Sequence, residues 1–298
     1  MVKVLVQNGC LVNFGSGIAT DDSENVVIPP IEVEGFEAWN PPTAAYTAAS
    51  AINGVGVLRE SATDWKMWIN TVSSMPKYIS LSTSVNGTSW TNPPVLNNTL
   101  SAAYQNLPCK VIKVDNTYYL YHSEHTGMLL DHWVYTSTDL VTWGNKTKVN
   151  TTVQGSGGEY ASAVIYRGAG DWVMYESYLV WPKWKIRKLT STNGINWVQG
   201  ADVIVAPGSD YIYSMSIVKT DINKYAMFYA YYTAGVWASR YRLSIDNGET
   251  WGAESLVQPL NLPGTTYAYV TEVISDGTKL IGWFVASDGK LYRADGII

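Results

Sequence analysis

Ser244-Ile245-Asp246-Asn247-Gly248-Glu249-Thr250-Trp251 is the fullest copy of a phrase that this chain repeats. The other copies are Ser84-Val85-Asn86-Gly87-Thr88-Ser89-Trp90, Ser137-Thr138-Asp139-Leu140-Val141-Thr142-Trp143 and Ser191-Thr192-Asn193-Gly194-Ile195-Asn196-Trp197. Trp39 joins the series ahead of them, and the five tryptophans stand 51, 53, 54 and 54 residues apart. A constant period of that length marks a radial or stacked repeat rather than an ordinary globular domain.

Between the tryptophans the same signals recur in the same order. In the second repeat, Lys110 to Val114 reads as a strand, Asp115-Asn116-Thr117 as a turn and Tyr118 to Ser123 as a second strand. His132 to Ser137 follows as a third strand, and after the phrase ending in Trp143 a fourth runs through Val149. Four antiparallel strands in about 50 residues is one blade of a β-propeller. No segment of useful length has helical periodicity, so the expected fold is all-β: a five-bladed propeller of four-stranded antiparallel blades.

The two ends complete each other. The fifth repeat stops inside the turn phrase, at Lys290 to Gly296, before any tryptophan. Trp39-Asn40-Pro41-Pro42 resembles Trp90-Thr91-Asn92-Pro93-Pro94, so the N-terminal side is expected to supply the outermost strand of the last blade. Such a closure leaves no exposed sheet edge at the seam. The propeller then spans residues 35–298. Residues 1–34 remain as an N-terminal arm, with a hairpin around Asn8-Gly9 and an extended linker from Gly15 to Glu34.

The composition excludes several classes. Charged residues make up only 15% and the net charge is −5, whereas a nucleic-acid groove needs clustered Lys and Arg. No run of 18 apolar residues is present, so no membrane partner is expected. The stub Met1 to Val6 is too short for a secretory signal, which points to cytoplasmic synthesis. The four Asn-x-Ser/Thr sequons at Asn86, Asn97, Asn145 and Asn150 are then only composition. Cys10 and Cys109 are far apart in sequence and read as small apolar core residues.

The turn phrase resembles the Asp-box of sialidases and other propellers, Ser-x-Asp-x-Gly-x-Thr-Trp. Physically it is a hairpin turn in which Asp or Asn caps nearby amides, Gly takes positive φ and Trp packs between blades. It lies on the face opposite the loops that propellers usually use for ligands. The blades in turn resemble those of five-bladed glycoside hydrolases, family 43 above all. Leu107-Pro108-Cys109-Lys110-Val111-Ile112-Lys113-Val114-Asp115-Asn116-Thr117-Tyr118-Tyr119-Leu120-Tyr121 follows that family's blade pattern, in which an acid stands where Lys110 stands here. The resemblance implies acidic residues around the axis, one as base, one as general acid and one as pKa modulator.

Aligning the innermost strands on Lys110 gives a ring of Gly56, Lys110, Ala163, Ser216 and Glu272, with one carboxylate. A single acid cannot both protonate a leaving group and activate water. Glu60, Glu159 and Asp210 lie near enough in sequence for a shift of register to restore a pair, so the fallback catalytic set is Glu272, Glu159 and Asp210. His122, His125 and His132 fall within one hairpin beside Glu124 and Asp131, but their spacing fits no compact metal site; no metal or cofactor is expected.

Aromatic residues gather where inner strands begin and where second strands pass into third: Tyr175, Tyr178, Trp181 and Trp184; Tyr211 and Tyr213; Tyr229, Tyr231, Tyr232 and Trp237; Tyr267 and Tyr269. About half are expected to fill the wedge between blades. The rest suit sugar faces or protein interfaces. The expected ligand set is Lys110, Glu176, Tyr178, Trp181, Tyr211, Tyr213, Tyr231, Tyr267, Tyr269 and Glu272. The sequence is therefore read as a non-catalytic carbohydrate-binding propeller, in the style of a bacteriophage tail or virion surface component attached to other subunits through residues 1–34. A glycoside hydrolase is the alternative, and a structural decoration subunit the third reading.

Overall fold

The computed structural model describes residues 4–7, 10–13, 39–47, 52–71, 77–91, 95–102, 110–126, 129–144, 146–149, 159–206, 211–257, 262 and 264–297. The chain divides into two compact units, Met1–Val33 and Glu34–Ile298. In the first, β1 (Val4–Gln7) pairs antiparallel with β2 (Cys10–Asn13), and Gln7 stands opposite Cys10. That is the register of a hairpin closed by two residues.

The second unit holds five four-stranded antiparallel sheets, and no helix occurs among the described residues. After β3 (Thr43–Tyr46), blade 1 is β4 (Ile52–Ser61), β5 (Asp64–Thr71), β6 (Lys77–Ser84) and β7 (Val95–Ala102). Blade 2 is β8 (Lys110–Val114), β9 (Thr117–Thr126), β10 (Leu129–Ser137) and β11 (Thr147–Lys148). Blade 3 is β12 (Glu159–Gly168), β13 (Asp171–Val180), β14 (Lys183–Ser191) and β15 (Val198–Val205). Blade 4 is β16 (Tyr211–Asp221), β17 (Lys224–Thr233), β18 (Val236–Ser244) and β19 (Ser255–Leu256). Blade 5 is β20 (Ala268–Ser275), β21 (Lys279–Ala286) and β22 (Leu291–Ile297), completed by β3 from the other end of the chain. The innermost strands touch in the cyclic order β4, β8, β12, β16, β20, β4, so the ring is closed.

Position within a blade explains composition. Second strands are covered on both faces by neighbouring blades and read as apolar runs, such as Tyr225-Ala226-Met227-Phe228-Tyr229-Ala230-Tyr231, all buried. The outermost β15 is largely exposed, with Ile204 alone buried. The fourth strand of blade 2, expected through Val149, is only the two-residue β11.

The repeated phrase is wired alike in blades 1, 2 and 3. In blade 1, Ser84 Oγ accepts the Gly87 amide at 2.9 Å, and Asn86 Oδ1 accepts the amides of Thr88 and Ser89 at 2.9 and 2.8 Å. Asp139 Oδ1 does the same for Val141 and Thr142 at 2.9 and 2.7 Å. Asn193 Oδ1 holds Ile195 and Asn196, both at 2.9 Å. Either side chain serves because only its acceptor oxygen is used.

Each closing tryptophan packs on the second strand of the preceding blade. Trp143 meets Trp68 with ring centroids 6.5 Å apart, Trp197 meets Tyr121 at 6.2 Å and Trp251 meets Tyr175 at 5.3 Å. Trp39 meets Phe228 at 6.3 Å, and Trp90 packs in the cluster that contains Trp283. The seam obeys the same rule as the other junctions. There Thr43 pairs with Arg293, Trp39 bridges Gly296, and the Asn40 amide donates to Asp295 O at 2.8 Å. Gly282 lies beneath Trp39, whose ring a Cβ would approach to 2.8 Å.

Candidate functional site

Blade topology puts the starts of the innermost strands and the hairpins between second and third strands at one end of the ring. The first hairpins and the repeated phrases lie at the other. Gly56, Lys110, Ala163, Ser216 and Glu272 pair with Trp68, Tyr121, Tyr175, Phe228 and Trp283 respectively. The five therefore occupy one level around the axis.

At that level Lys110 Nζ donates to Glu272 Oε1 at 2.6 Å, and Ser216 Oγ donates to the same oxygen at 2.5 Å. Lys110 comes from blade 2 and Glu272 from blade 5, on either side of blade 1. Gly56 of blade 1 stands at the same level and has no side chain. Ser216 Oγ also accepts the Val273 amide at 3.0 Å, so the hydroxyl is oriented toward the carboxylate. Glu272 is 1% exposed, and a buried carboxylate needs such partners to offset its lost hydration.

A second buried group joins blades 2 and 3. Glu176 and Arg187 face each other across β13 and β14, and Arg187 Nε donates to Glu176 Oε2 at 2.6 Å while Nη2 donates to the same oxygen. His132 Nε2 stands 2.9 Å from Glu176 Oε1, and His132 Nδ1 stands 2.5 Å from Ser123 Oγ. Burial would raise the Glu176 pKa, but the charges and hydrogen bonds of His132 and Arg187 outweigh it and hold the carboxyl below its ordinary range. Tyr178 lies over the Arg187 guanidinium at 4.5 Å and donates its hydroxyl to Asp202, which also takes Lys185 at 2.7 Å. Ser123, His132 and Glu176 stand in the order of a nucleophile, a base and its orienting acid. Ser123 is buried, however, so the chain locks two blades together and presents no hydroxyl to a substrate.

Aromatic rings form a belt at the same end. Centroids are 5.6 Å apart for Trp184 and Tyr211, 5.9 Å for Tyr211 and Tyr232, 4.9 Å for Tyr232 and Trp237, and 5.0 Å for Trp237 and Tyr269. Tyr213 packs on Trp237 at 5.2 Å, and Tyr267 stacks on Tyr269 at 6.3 Å. Two hydroxyls tie the belt to blade 1: Tyr213 donates to Asn53 Oδ1, and Tyr269 donates to Asn53 O at 3.3 Å. Tyr211 is 48% exposed and Trp181 74%, whereas Tyr178, Tyr231 and Tyr269 are buried. Tyr231 lies under the Arg240 guanidinium at 4.4 Å. Tyr175 and Tyr229 point into the wedges between blades, their hydroxyls bonded to Gly248 O and Glu254.

Of the residues singled out in the sequence, the structure thus joins Lys110 to Glu272, and Tyr211, Tyr213, Tyr267 and Tyr269 to one another through Tyr232 and Trp237. It sets Glu176 and Tyr178 in the cluster between blades. Ser123 and Arg187 were missed, and Arg187 was within reach: counting outward from Val180 opposite Lys183 places it opposite Glu176. Glu60 lies at the far end, bonded to Lys113 and Tyr118 at 2.5 and 2.6 Å. His122 stacks on Tyr135 at 5.4 Å. Among the described residues no group of three or more His, Cys, Asp or Glu side chains is placed to hold a metal. Cys109, Asn145, Asn150, Asp210 and the proposed linker fall outside the described residues, as do the side chains of Cys10, Asn97, Glu124, His125 and Glu159.

No family model matches the chain, and no curated protein sequence matches it. Solved structures do match. The catalytic domain of the Coprinopsis cinerea GH62 α-L-arabinofuranosidase is similar with a TM-score of 0.67 and 11% identity, covering 87% of this chain and 96% of that one. A thermostable family-43 glycoside hydrolase gives 0.60 and 13%, over 84% and 92% of the two chains. The Fusarium graminearum GH93 α-L-arabinofuranosidase, solved with arabinobiose, gives 0.57 and 14%, over 87% and 98%. The fold of this chain is therefore the five-bladed propeller that these glycoside hydrolases share.

Proposed function

We propose that this propeller acts on carbohydrate at the end where its innermost strands begin, as a glycoside-hydrolase-type protein. The observation that carries the reading is the juxtaposition at that end of a continuous aromatic belt, from Trp184 through Tyr211, Tyr232 and Trp237 to Tyr269, with the buried axial carboxylate of Glu272. Trp184 and Tyr269 are buried and support the belt, while Tyr211, Tyr232 and Trp237 reach its surface, where flat rings with polar tips suit the apolar faces of sugar rings. Glu272, 1% exposed and paired with Lys110, reaches a sugar only where that ion pair opens, and it then supplies one of the two carboxyl groups that hydrolysis needs. The structural likenesses favour hydrolysis over binding alone. In that reading Glu272 is one of the two carboxyl groups, and Glu159 and Asp210, the other acids of the sequence-based set, are the candidates for its partner.

A second reading is recognition without cleavage. It is favoured by one observation: the charge of Glu272 is already matched by Lys110 at 2.6 Å, so the axis carries a closed ion pair. Incubation with a panel of plant and microbial oligosaccharides, followed for binding and for released reducing sugar, separates the two. Release that Glu159→Gln or Glu272→Gln abolishes supports hydrolysis. Binding that persists in both variants without release supports recognition. Neither binding nor release, with the aromatic end covered by another subunit in a purified assembly, would instead support a structural role.

A further inference from the structure

Three residues beyond the axial ion pair, each innermost strand contributes to a second level of the channel: Arg59, Lys113, Tyr166, Lys219 and Ser275. These lie at the end of the first hairpins, where Arg59 pairs with Trp65 and Lys113 with Tyr118. They rim a cavity of about 390 Å³, lined also by the apolar side chains of Val57, Val111, Val164, Ile217 and Ile274 and by Lys110. No Asp or Glu is among the fifteen residues that line it.

The cations differ in how far they are already satisfied. Lys110 is neutralised by Glu272. Lys113 shares Glu60 with Lys66 and Tyr118. Lys219 is exposed and has Asp221 in its field. Arg59 donates from Nη1 to Asp276 O at 3.3 Å and lies over the Trp65 ring at 5.2 Å, while its Nε is buried without a hydrogen-bond partner. Three cationic side chains from blades 1, 2 and 4 thus line one mouth, Lys219 exposed and Lys113 held on its outer side by Glu60. Several cations around one cavity with no acid in its lining are what an oxyanion requires.

We propose that this mouth binds a small phosphate-bearing molecule, its phosphate held among Arg59, Lys113 and Lys219 and its apolar part in the channel. The site is at the opposite end of the ring from the aromatic belt and does not depend on the carbohydrate reading.

The test is calorimetric titration of the full chain with inorganic phosphate, pyrophosphate and phenyl phosphate at fixed ionic strength. Saturable binding is expected for all three, with phenyl phosphate tighter than phosphate because its ring enters the apolar wall. Lys219→Glu, at an exposed position, is expected to weaken each by about tenfold without changing the melting temperature. Absence of saturable binding by all three anions would overturn the proposal. So would binding that Lys219→Glu and Lys113→Gln both leave unchanged. Equal affinity for phosphate and phenyl phosphate would overturn the placement of the apolar part.

Discussion

Lys110 of blade 2 and Glu272 of blade 5 meet at the axis with nitrogen and oxygen 2.6 Å apart, although blade 1 stands between their strands. Their pairing spans the axis at the level of Gly56, Ala163 and Ser216. Removing one partner leaves the other charge buried. Lys110→Met should therefore cost about 3–5 kcal/mol in urea unfolding, and Lys110→Met with Glu272→Leu should recover most of it. A single variant as stable as the parent would show that the pair is dispensable.

His122 predicts how stability depends on acid. Burial, with smaller contributions from the charges of Lys146 and His132, lowers its pKa from 6.5 to about 3. The unfolded chain therefore binds this proton first, and its stabilising contribution, complete above pH 6.5, is lost as pH falls toward 3. The slope is about 1.4 kcal/mol per pH unit for one proton. Carboxylates act in the same direction lower down. Burial would raise the pKa of Glu60, but Lys113, Lys66 and Tyr118 bring it down to about 2, so its contribution fades below pH 4.5. His122→Phe keeps the stack on Tyr135 and removes the titration. Denaturation at pH 7 and pH 5 should show the parent losing more stability than the variant; equal losses would contradict the assignment.

Trp39 locks the ring. Its indole packs edge-on against Phe228 of blade 4 and Phe284 of blade 5, at 6.3 and 5.3 Å, from a position far from both in sequence. Trp39→Ala should cost about 3–5 kcal/mol and broaden thermal unfolding, because it opens the only junction held by the two ends of the chain. An unchanged melting curve would mean that β3 holds the seam without it.

Gly248 tests the turn phrase. It has φ +82°, and a Cβ there would lie 2.8 Å from the Tyr175 hydroxyl, which donates to Gly248 O. Gly248→Ala should destabilise by about 1–3 kcal/mol, whereas Gly235→Ala, with φ +86° but open space around it, should cost only the backbone term of about 1 kcal/mol. Equal costs would remove the role assigned to the Tyr175 contact.

The repeat made the fold legible, because a tryptophan at constant spacing reports the junction between blades whatever the intervening residues are. Leu140 shows the limit of reading by residue type. Its phrase lacks the glycine, yet Leu140 takes φ 63° and buries its side chain beside Trp143. The turn is imposed by hydrogen bonds and packing, and glycine only makes it easier. The axial ring was readable because aligned strands keep register. The Ser123, His132, Glu176 and Arg187 network was not, because its members come from two blades and meet only after these dock. The histidines of that hairpin yielded only a spacing that fits no compact metal site, because sequence proximity gave no hint that His132 turns toward blade 3 while His122 stacks within its own.

The most direct test of the carbohydrate reading is a fluorescence titration of the indoles with an oligosaccharide panel, paired with detection of released reducing sugar. At least one glycan should perturb the indole emission. Tyr211→Ala and Trp237→Phe should weaken that response by about tenfold while unfolding midpoints stay close to the parent. If no glycan is bound or cleaved, or if both variants respond as the parent does, the aromatic end is not a sugar site.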